Sequence, residues 1–276
     1  MKLKMDRAYC NAIIQGYESM AAWSDLLDQI NVFPVADADT GRNLKISLAA
    51  LRRLAEQPAT VSQHILRAAT GNAGNIAAAF FQELLGVDRP ETLAEAIGRG
   101  VGQAYKAVAD PKPGTMLTVL EALAQVLPPA PRFPAEWDLE AIVGHLEKSV
   151  ADTREALPEL RRAGVVDAGA LGMFIFLEAF LGGLTGQANH GRPVTERFHG
   201  KLKIAAGWQP DGRQEQYCIS AVIRPEGSQA EARRRMTDWG ESVVVNAADD
   251  RLKVHLHTGD RQALRSGLEQ LGRVDA

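Results

Sequence analysis

The sequence predicts a multi-domain chain, an all-α domain followed by a small α/β domain, and three observations carry that prediction. Apolar residues recur at helical spacing through the first two thirds, and a stretch from Gly182 to Gly212 shifts to Gly, polar residues and Pro193. Beyond it, short β-branched and alternating runs take over. The 276 residues, 46% of them hydrophobic, suffice for one larger and one smaller core. The domains are expected at 1–188 and 213–276, with a linker over 189–212.

Between Asp6 and Ile30, the residues Ile13, Tyr17, Met20, Leu27 and Ile30 fall at spacings of three, four or seven, which places them on one helix face. Leu44, Leu48, Leu51 and Ala55 repeat the pattern until Pro58, which has no amide hydrogen and restricts its predecessor, ends it. Thr60-Val61-Ser62-Gln63 and Thr92-Leu93-Ala94-Glu95 fit the capping box at a helix start. Further helical runs are expected over 76–85, 92–108, 115–126, 138–156 and 169–181, and Pro128, Pro129, Pro131 and Pro134 require an extended loop. In the second domain, Gln216 to Ile223, Ser242 to Asn246 and Arg251 to His257 read as strands. Helices are expected at 228–239 and 260–271, with Asp249-Asp250 turning between the last two strands.

Charge excludes one class of partner. With 31 Lys+Arg against 34 Asp+Glu and a net charge of -3, the chain has no general basic field for nucleic acid. Cys10 and Cys218 lie far apart and read as reduced thiols. The opening MKLKMDRAYCNAIIQ lacks the apolar run of a secretion signal, so a cytoplasmic location is expected. Val165 to Leu184 is broken by Asp167, Glu178 and glycines, short of the ~20 apolar residues of a spanning helix, so no transmembrane segment is expected.

The most informative stretch is Asn31-Val32-Phe33-Pro34-Val35-Ala36-Asp37-Ala38-Asp39-Thr40-Gly41-Arg42-Asn43-Leu44. Two carboxylates two residues apart in a loop can converge on a hard cation such as Mg²⁺, which prefers oxygen ligands and keeps waters for a phosphate to replace. Amides exposed at the following helix start would attract the same phosphate. The same residues also suit a plainer reading, in which Asp39 caps the helix and Asp37 is solvated. In the second domain, alternation sends Leu252, Val254 and Leu256 to one face and Lys253, His255 and His257 to the other. With Cys218 on a neighbouring strand, the two imidazoles and the thiolate would supply three of the four tetrahedral positions that Zn²⁺ prefers. Exposed histidines beside a buried structural cysteine are the alternative.

The acidic string resembles the NVFPVPDGDTGTNM signature of the ATP-binding subunit of bacterial fatty acid kinase, whose N-terminal domain is related to the nucleotide-binding L subunit of dihydroxyacetone kinase. Three more blocks follow in order: Leu66 to Asn75 resembles ARGNSG, Ala104 to Val108 with Lys112 to Val119 resembles AYKAV and GTILTV, and Val165 to Gly172 resembles VVDAGGQG. The resemblance covers roughly residues 5–185. It implies a barrel of antiparallel helices with Mg-ATP (or ADP) at one end, and it makes Asp37 and Asp39 the catalytic metal ligands, with Asn31 near the place of a third carboxylate. Thr40, Gly41, Arg42 and Asn43 would face the phosphates, Gly71, Asn72, Ala73 and Gly74 would let backbone approach them, and Thr115, Met116, Leu117, Asp167 and Gly169 would line the adenine end. Taken without the family, the same glycines, threonines and aspartates suit helix ends and caps.

The departures are Ala38 for a glycine, Arg42 for a threonine, Leu44 for a methionine and Ala73 for a serine. A guanidinium at 42 can clamp phosphates or fill the space of the γ-phosphate. Gln216-Tyr217-Cys218 and Val254-His255-Leu256-His257-Thr258 resemble the YCTE and VHVHT blocks in the middle domain of the same family, which implies that Cys218, His255 and His257 bind Zn²⁺. The resemblance implies that most relatives continue into a further domain or a fused DegV-type domain, and with this sequence stopping at Ala276 either a fragment or a subunit that meets its acyl-carrying partner in trans is expected. The expected activity is Mg-ATP-dependent phosphoryl transfer to a fatty-acid carboxylate held by a DegV-type protein. A non-catalytic nucleotide-binding module, or a dihydroxyacetone-type kinase subunit, is the alternative, and a homodimer stays open.

Overall fold

The computed structural model describes residues 6–127, 136–187, 192–210, 217–248 and 250–275. Its helices are α1 (Arg7–Ala22), α2 (Ser24–Gln29), α3 (Thr40–Leu48), α4 (Pro58–Ala68), α5 (Gly71–Leu84), α6 (Leu93–Ala107), α7 (Met116–Val126), α8 (Leu139–Ala156), α9 (Pro158–Ala163), α10 (Ala168–Thr185), α11 (Val194–Arg197), α12 (Gln229–Met236) and α13 (Arg261–Leu271). The strands are β1 (Tyr217–Pro225), β2 (Glu241–Ala248), β3 (Arg251–Thr258) and β4 (Gly272–Asp275). An all-α body followed by a small α/β unit is therefore the observed fold class. The four prolines of the expected loop, and Gln216 and Asp249, lie outside the described residues.

In the helical body, neighbours touch in the order α1, α3, α5, α6, α7 and α10, and α10 returns to α1, which closes a ring. The most apolar member is α10, with Phe174, Phe176 and Phe180 fully buried and Phe176 meeting Phe81 of α5 edge-on at 4.9 Å. The expectation that no helix here would be long and apolar enough to span a membrane needs correction. Asp167 lies outside α10 as its cap, which leaves 18 residues that pass by length and composition. Burial of 78% of that helix inside the protein accounts for its apolar character, since a helix packed on all sides needs no polar stripe.

Several expected boundaries moved. The helix expected from Asp6 to Ile30 breaks at Trp23, and the one through Leu44 to Ala55 becomes a 3₁₀ turn from Ala49 to Arg53. Neither capping box forms. Pro58 takes the first position of α4, so Thr60 sits inside that helix and its hydroxyl donates back to the Gln57 carbonyl. Thr92 precedes α6 as expected, but its hydroxyl donates to Arg89 O at 2.8 Å instead of receiving an amide.

The four strands form an antiparallel sheet in the order β2-β3-β1-β4. Ile223, Val243, Val245, Leu252, Val254 and Leu256 share a small core with α12 and α13, as the alternation in β3 requires. The other face rests on the helical body. Lys253 Nζ donates to the Leu66 and Arg67 carbonyls at the end of α4 at 3.2 and 2.6 Å. Asn246 Nδ2 donates to Asn75 O at 3.0 Å, and Ala109 N donates to Val243 O at 3.0 Å. Residues inside the expected linker also pack on the helices, with Phe198 fully buried and Ala205 N donating to Ala163 O at 2.8 Å.

Candidate functional site

The acidic loop joins α2 to α3, and its shape is set by two side chains beneath it. Asn31 is buried, accepts from Asp39 N and Thr40 N at 3.2 Å each, and donates to Val35 O at 3.1 Å. Asp28 Oδ1 accepts from Gly41 N at 2.7 Å and Arg42 N at 3.1 Å. Together they take the amides of residues 39–42, so the start of α3 does not offer the exposed amides that the sequence suggested for a phosphate. Asp39 takes the capping position but makes no side-chain capping bond. Its carboxylate is left to the loop, which also rules out the plainer capping reading.

That carboxylate meets Asp37. The two face each other closely enough to hydrogen-bond, and burial, followed by the Asp39 charge, pushes the Asp37 carboxyl up to about 7. Ala38 between them has φ 53, a left-handed conformation that side-chain-bearing residues rarely take. A pair of carboxylates that repel each other in a partly desolvated loop is stabilised by a cation placed between them.

Beside the loop opens a cavity of about 620 Å³, lined by Phe33, Pro34, Thr40, Asn72 and Ala73, by Val108 to Asp110 and Lys112, and by Thr115, Met116, Leu117, Asp167 and Gly169. Its far wall is Gly240 to Val244 of the sheet unit. A narrower recess shares Phe33, Pro34, Thr40, Asn72 and Ala73 with it and continues past Asp37, Asp39, Asn43 and Gly71 to His255 and His257. At the junction stands the start of α5, which no side chain caps. Asn72 Oδ1 there is buried with no hydrogen-bond partner. Orphan amides and the positive end of the helix dipole at such a start suit an anion.

At the end of the recess, β1 pairs with β3 so that Cys218 lies opposite His257. Ligand atoms of Cys218, His255 and His257 all lie within 4.8 Å of one another. The histidines are buried, at 1% and 4% exposure, and the cysteine is exposed, the reverse of the alternative weighed above. Ser220 Oγ lies 3.1 Å from His255 Nδ1, while His255 Nε2 is buried with no partner. Burial first, then His257 and Lys253, lowers the His255 imidazole to about 4, so the ring is neutral and has a lone pair to give. Although Cys218 as a whole is exposed, its thiol is half-buried, and burial, then Asp39 and Asp37, pushes it up, which places the acidic pair within electrostatic reach of the Cys-His-His set.

Other expected site residues take different stations. A Cβ on Gly41 would lie 2.0 Å from Ser24 O, and one on Gly74 2.0 Å from Ser47 Oγ, so both glycines serve close helix packing and neither lines the cavity or the recess. Gly71 has φ 62 and a Cβ there would meet Asn43 Nδ2 at 2.0 Å, so the buried Asn43 braces the start of α5. Arg42 lines neither space; its guanidinium turns back to Ala38 O at 3.1 Å. Asp167 is buried and caps α10 by accepting from Ala170 N at 2.7 Å; burial still pushes its carboxyl up to about 7.

Asp28 and the β2 wall went unread in the sequence. An aspartate in the last turn of α2 opposes the helix dipole, which signals that its partner lies elsewhere. The β2 wall left no comparable signal, because it depends on how the sheet docks.

Comparison with known proteins places both regions of the chain in known families. Residues 34–182 match the DAK2 domain, and residues 214–276 match the FakA-like middle domain of fatty acid kinase. An uncharacterized protein of Staphylococcus haemolyticus is 30% identical over 282 residues, covering 91% of this chain and 50% of the relative. One of Staphylococcus saprophyticus is 30% identical over 94% of this chain and 52% of its own length. One of Staphylococcus aureus is 28% identical over 91% and 51%. The chain thus spans about half the length of the curated relatives it matches.

Proposed function

The chain belongs to the DAK2-domain family and carries a FakA-like middle domain of the fatty acid kinase type, and from that premise we propose that it binds a magnesium nucleotide and transfers its γ-phosphoryl group to a fatty-acid carboxylate. The acceptor would be presented by a DegV-type protein or fused domain, and the product would be an acyl phosphate. The observation that carries this reading is the placement of Asp37 and Asp39 together in a recess that shares Phe33, Pro34, Thr40, Asn72 and Ala73 with a cavity of about 620 Å³, large enough for a nucleotide.

In this reading Asp37 and Asp39 would hold Mg²⁺, which would supply positive charge against the phosphates. Asn31 is the scaffold of the loop, since both ends of its amide are engaged. The uncapped start of α5, from Gly71 to Ala73, receives the phosphates. Thr115, Met116, Leu117 and Gly169 bound the base, with Asp167 capping the start of α10. Ala73 brings no hydroxyl to the junction, so the backbone amides and the Asn72 side chain act there. A fatty-acid carboxylate is ionised near neutral pH, so the acceptor requires no general base.

The Cys218, His255 and His257 set fits Zn²⁺ by its donor chemistry and by the orphaned His255 Nε2. Because Arg42 stays clear of the cavity, it does not block a γ-phosphate, which favours turnover over a purely binding role. The test is transfer of labelled phosphate from ATP to a fatty acid loaded on a DegV-type protein. Acyl phosphate formation with the natural chain, and its loss in Asp37→Ala, is expected. Mg-dependent ATP binding without transfer would leave only the binding role.

A further inference from the structure

Two of the residues that depart from the family motif touch each other, and their contact gives Arg42 a task. Ala38 sits at φ 53 between the two carboxylates, in a conformation that glycine takes freely and alanine does not. Ala38 precedes the N-cap Asp39, so its carbonyl lies outside the hydrogen-bond pattern of α3, which begins with Asn43 N donating to Asp39 O at 2.8 Å. The Arg42 amide, free of any helical partner in the first turn, donates to Asp28 Oδ1 at 3.1 Å. The Arg42 guanidinium supplies the donor that the helix does not give the Ala38 carbonyl, at 3.1 Å.

We propose that Arg42 is a positioning residue that clamps the left-handed Ala38 peptide and so holds Asp37 and Asp39 facing each other. It acts from outside the site, since it lines neither the cavity nor the recess. Anchoring at two points makes this effective, with its backbone fixed to Asp28 and its side chain fixed to the loop. A glycine at 38 removes the need for the clamp, so a small polar residue at 42 then suffices.

This inference rests on the magnesium-nucleotide reading for its consequence, and its test separates the two. Mn²⁺ binding in the presence of ATP, followed by electron paramagnetic resonance, is compared among the natural chain, Arg42→Thr, Ala38→Gly and the double variant. Loss of a charge-assisted bond is expected to weaken Mn²⁺ roughly tenfold in Arg42→Thr. Ala38→Gly in that background should restore affinity to within about threefold, a rescue that an arginine touching phosphate directly would not allow. A double variant as weak as Arg42→Thr, or an unaltered Arg42→Thr, would overturn the proposal.

Thermal unfolding of the same four proteins without ligand provides an independent readout. Arg42→Thr should lower the midpoint by about 2 °C and the added glycine should recover it. If the natural chain binds no Mn²⁺, the magnesium reading fails, and this unfolding coupling alone then decides for or against the clamp.

Discussion

Two helices begin at the mouth of the cavity, and they are finished in opposite ways. The start of α3 is closed: Asn31 and Asp28 accept the amides of residues 39–42. The start of α5 is open, with no capping side chain and with Gly71 at φ 62 turning the chain into it. In the proposed reading the start beside the carboxylates leaves no free amides to compete with a cation, and the start at the cavity junction leaves its amides for an anion. The acidic motif is the most recognisable part of the sequence, yet in that reading it would serve the cation alone. The less conspicuous Gly71-Asn72-Ala73 turn would serve the phosphates.

Substitutions at the two starts should therefore separate stability from binding. The largest effect is expected from Gly41→Ala, whose methyl would lie 2.0 Å from the Ser24 carbonyl oxygen. Overpacking against backbone should cost about 3 kcal/mol, visible as a fall in the thermal midpoint of roughly 6 to 10 °C. Asp28→Ala frees two amides at the closed start and should cost about 2 kcal/mol by chemical denaturation. At the open start the order reverses. Asn72→Ala removes a buried acceptor that has no partner, so stability should stay within about 0.5 kcal/mol while nucleotide affinity falls roughly tenfold. Thr70→Ala should change stability least, also within about 0.5 kcal/mol, because Thr70 makes no side-chain cap and its amide is held by Ser47 Oγ at 3.0 Å. If Thr70→Ala proved as costly as Asp28→Ala, the contrast between a closed and an open start would be wrong.

The same contrast explains what was legible in the sequence. Helical periodicity placed the body of each major helix, since burial of one face is written in local spacing. Alternation in β3 placed His255 and His257 on the face away from Leu252, Val254 and Leu256 for the same reason. What could not be read were decisions made between distant segments. Asp28 looks like an ordinary helical acid until α3 folds beside it, and Gly41 looks like a phosphate-facing glycine until Ser24 is seen against it. The capping boxes at Thr60 and Thr92 failed because Pro58 and the Arg89 carbonyl offered competing local solutions. The short β4 escaped because a four-residue edge strand carries too little pattern, and it exists by pairing with β1.

Docking of the sheet also changes how the candidate metal residues are grouped. In sequence, Asp37 and Asp39 stand far from His255 and His257, on separate domains. In the fold they line one recess, held there by Asn246 on Asn75 and Lys253 on the end of α4. The second domain therefore builds a wall of the cavity and completes the recess beside the acidic pair.

Calorimetric titration of ATP, with and without Mg²⁺, on the natural chain and on Asp37→Ala/Asp39→Ala tests the central claim most directly. The account predicts tight binding to the natural chain only when Mg²⁺ is present, and loss of that Mg²⁺ dependence in the double variant. Equal ATP affinity in all four conditions would contradict it.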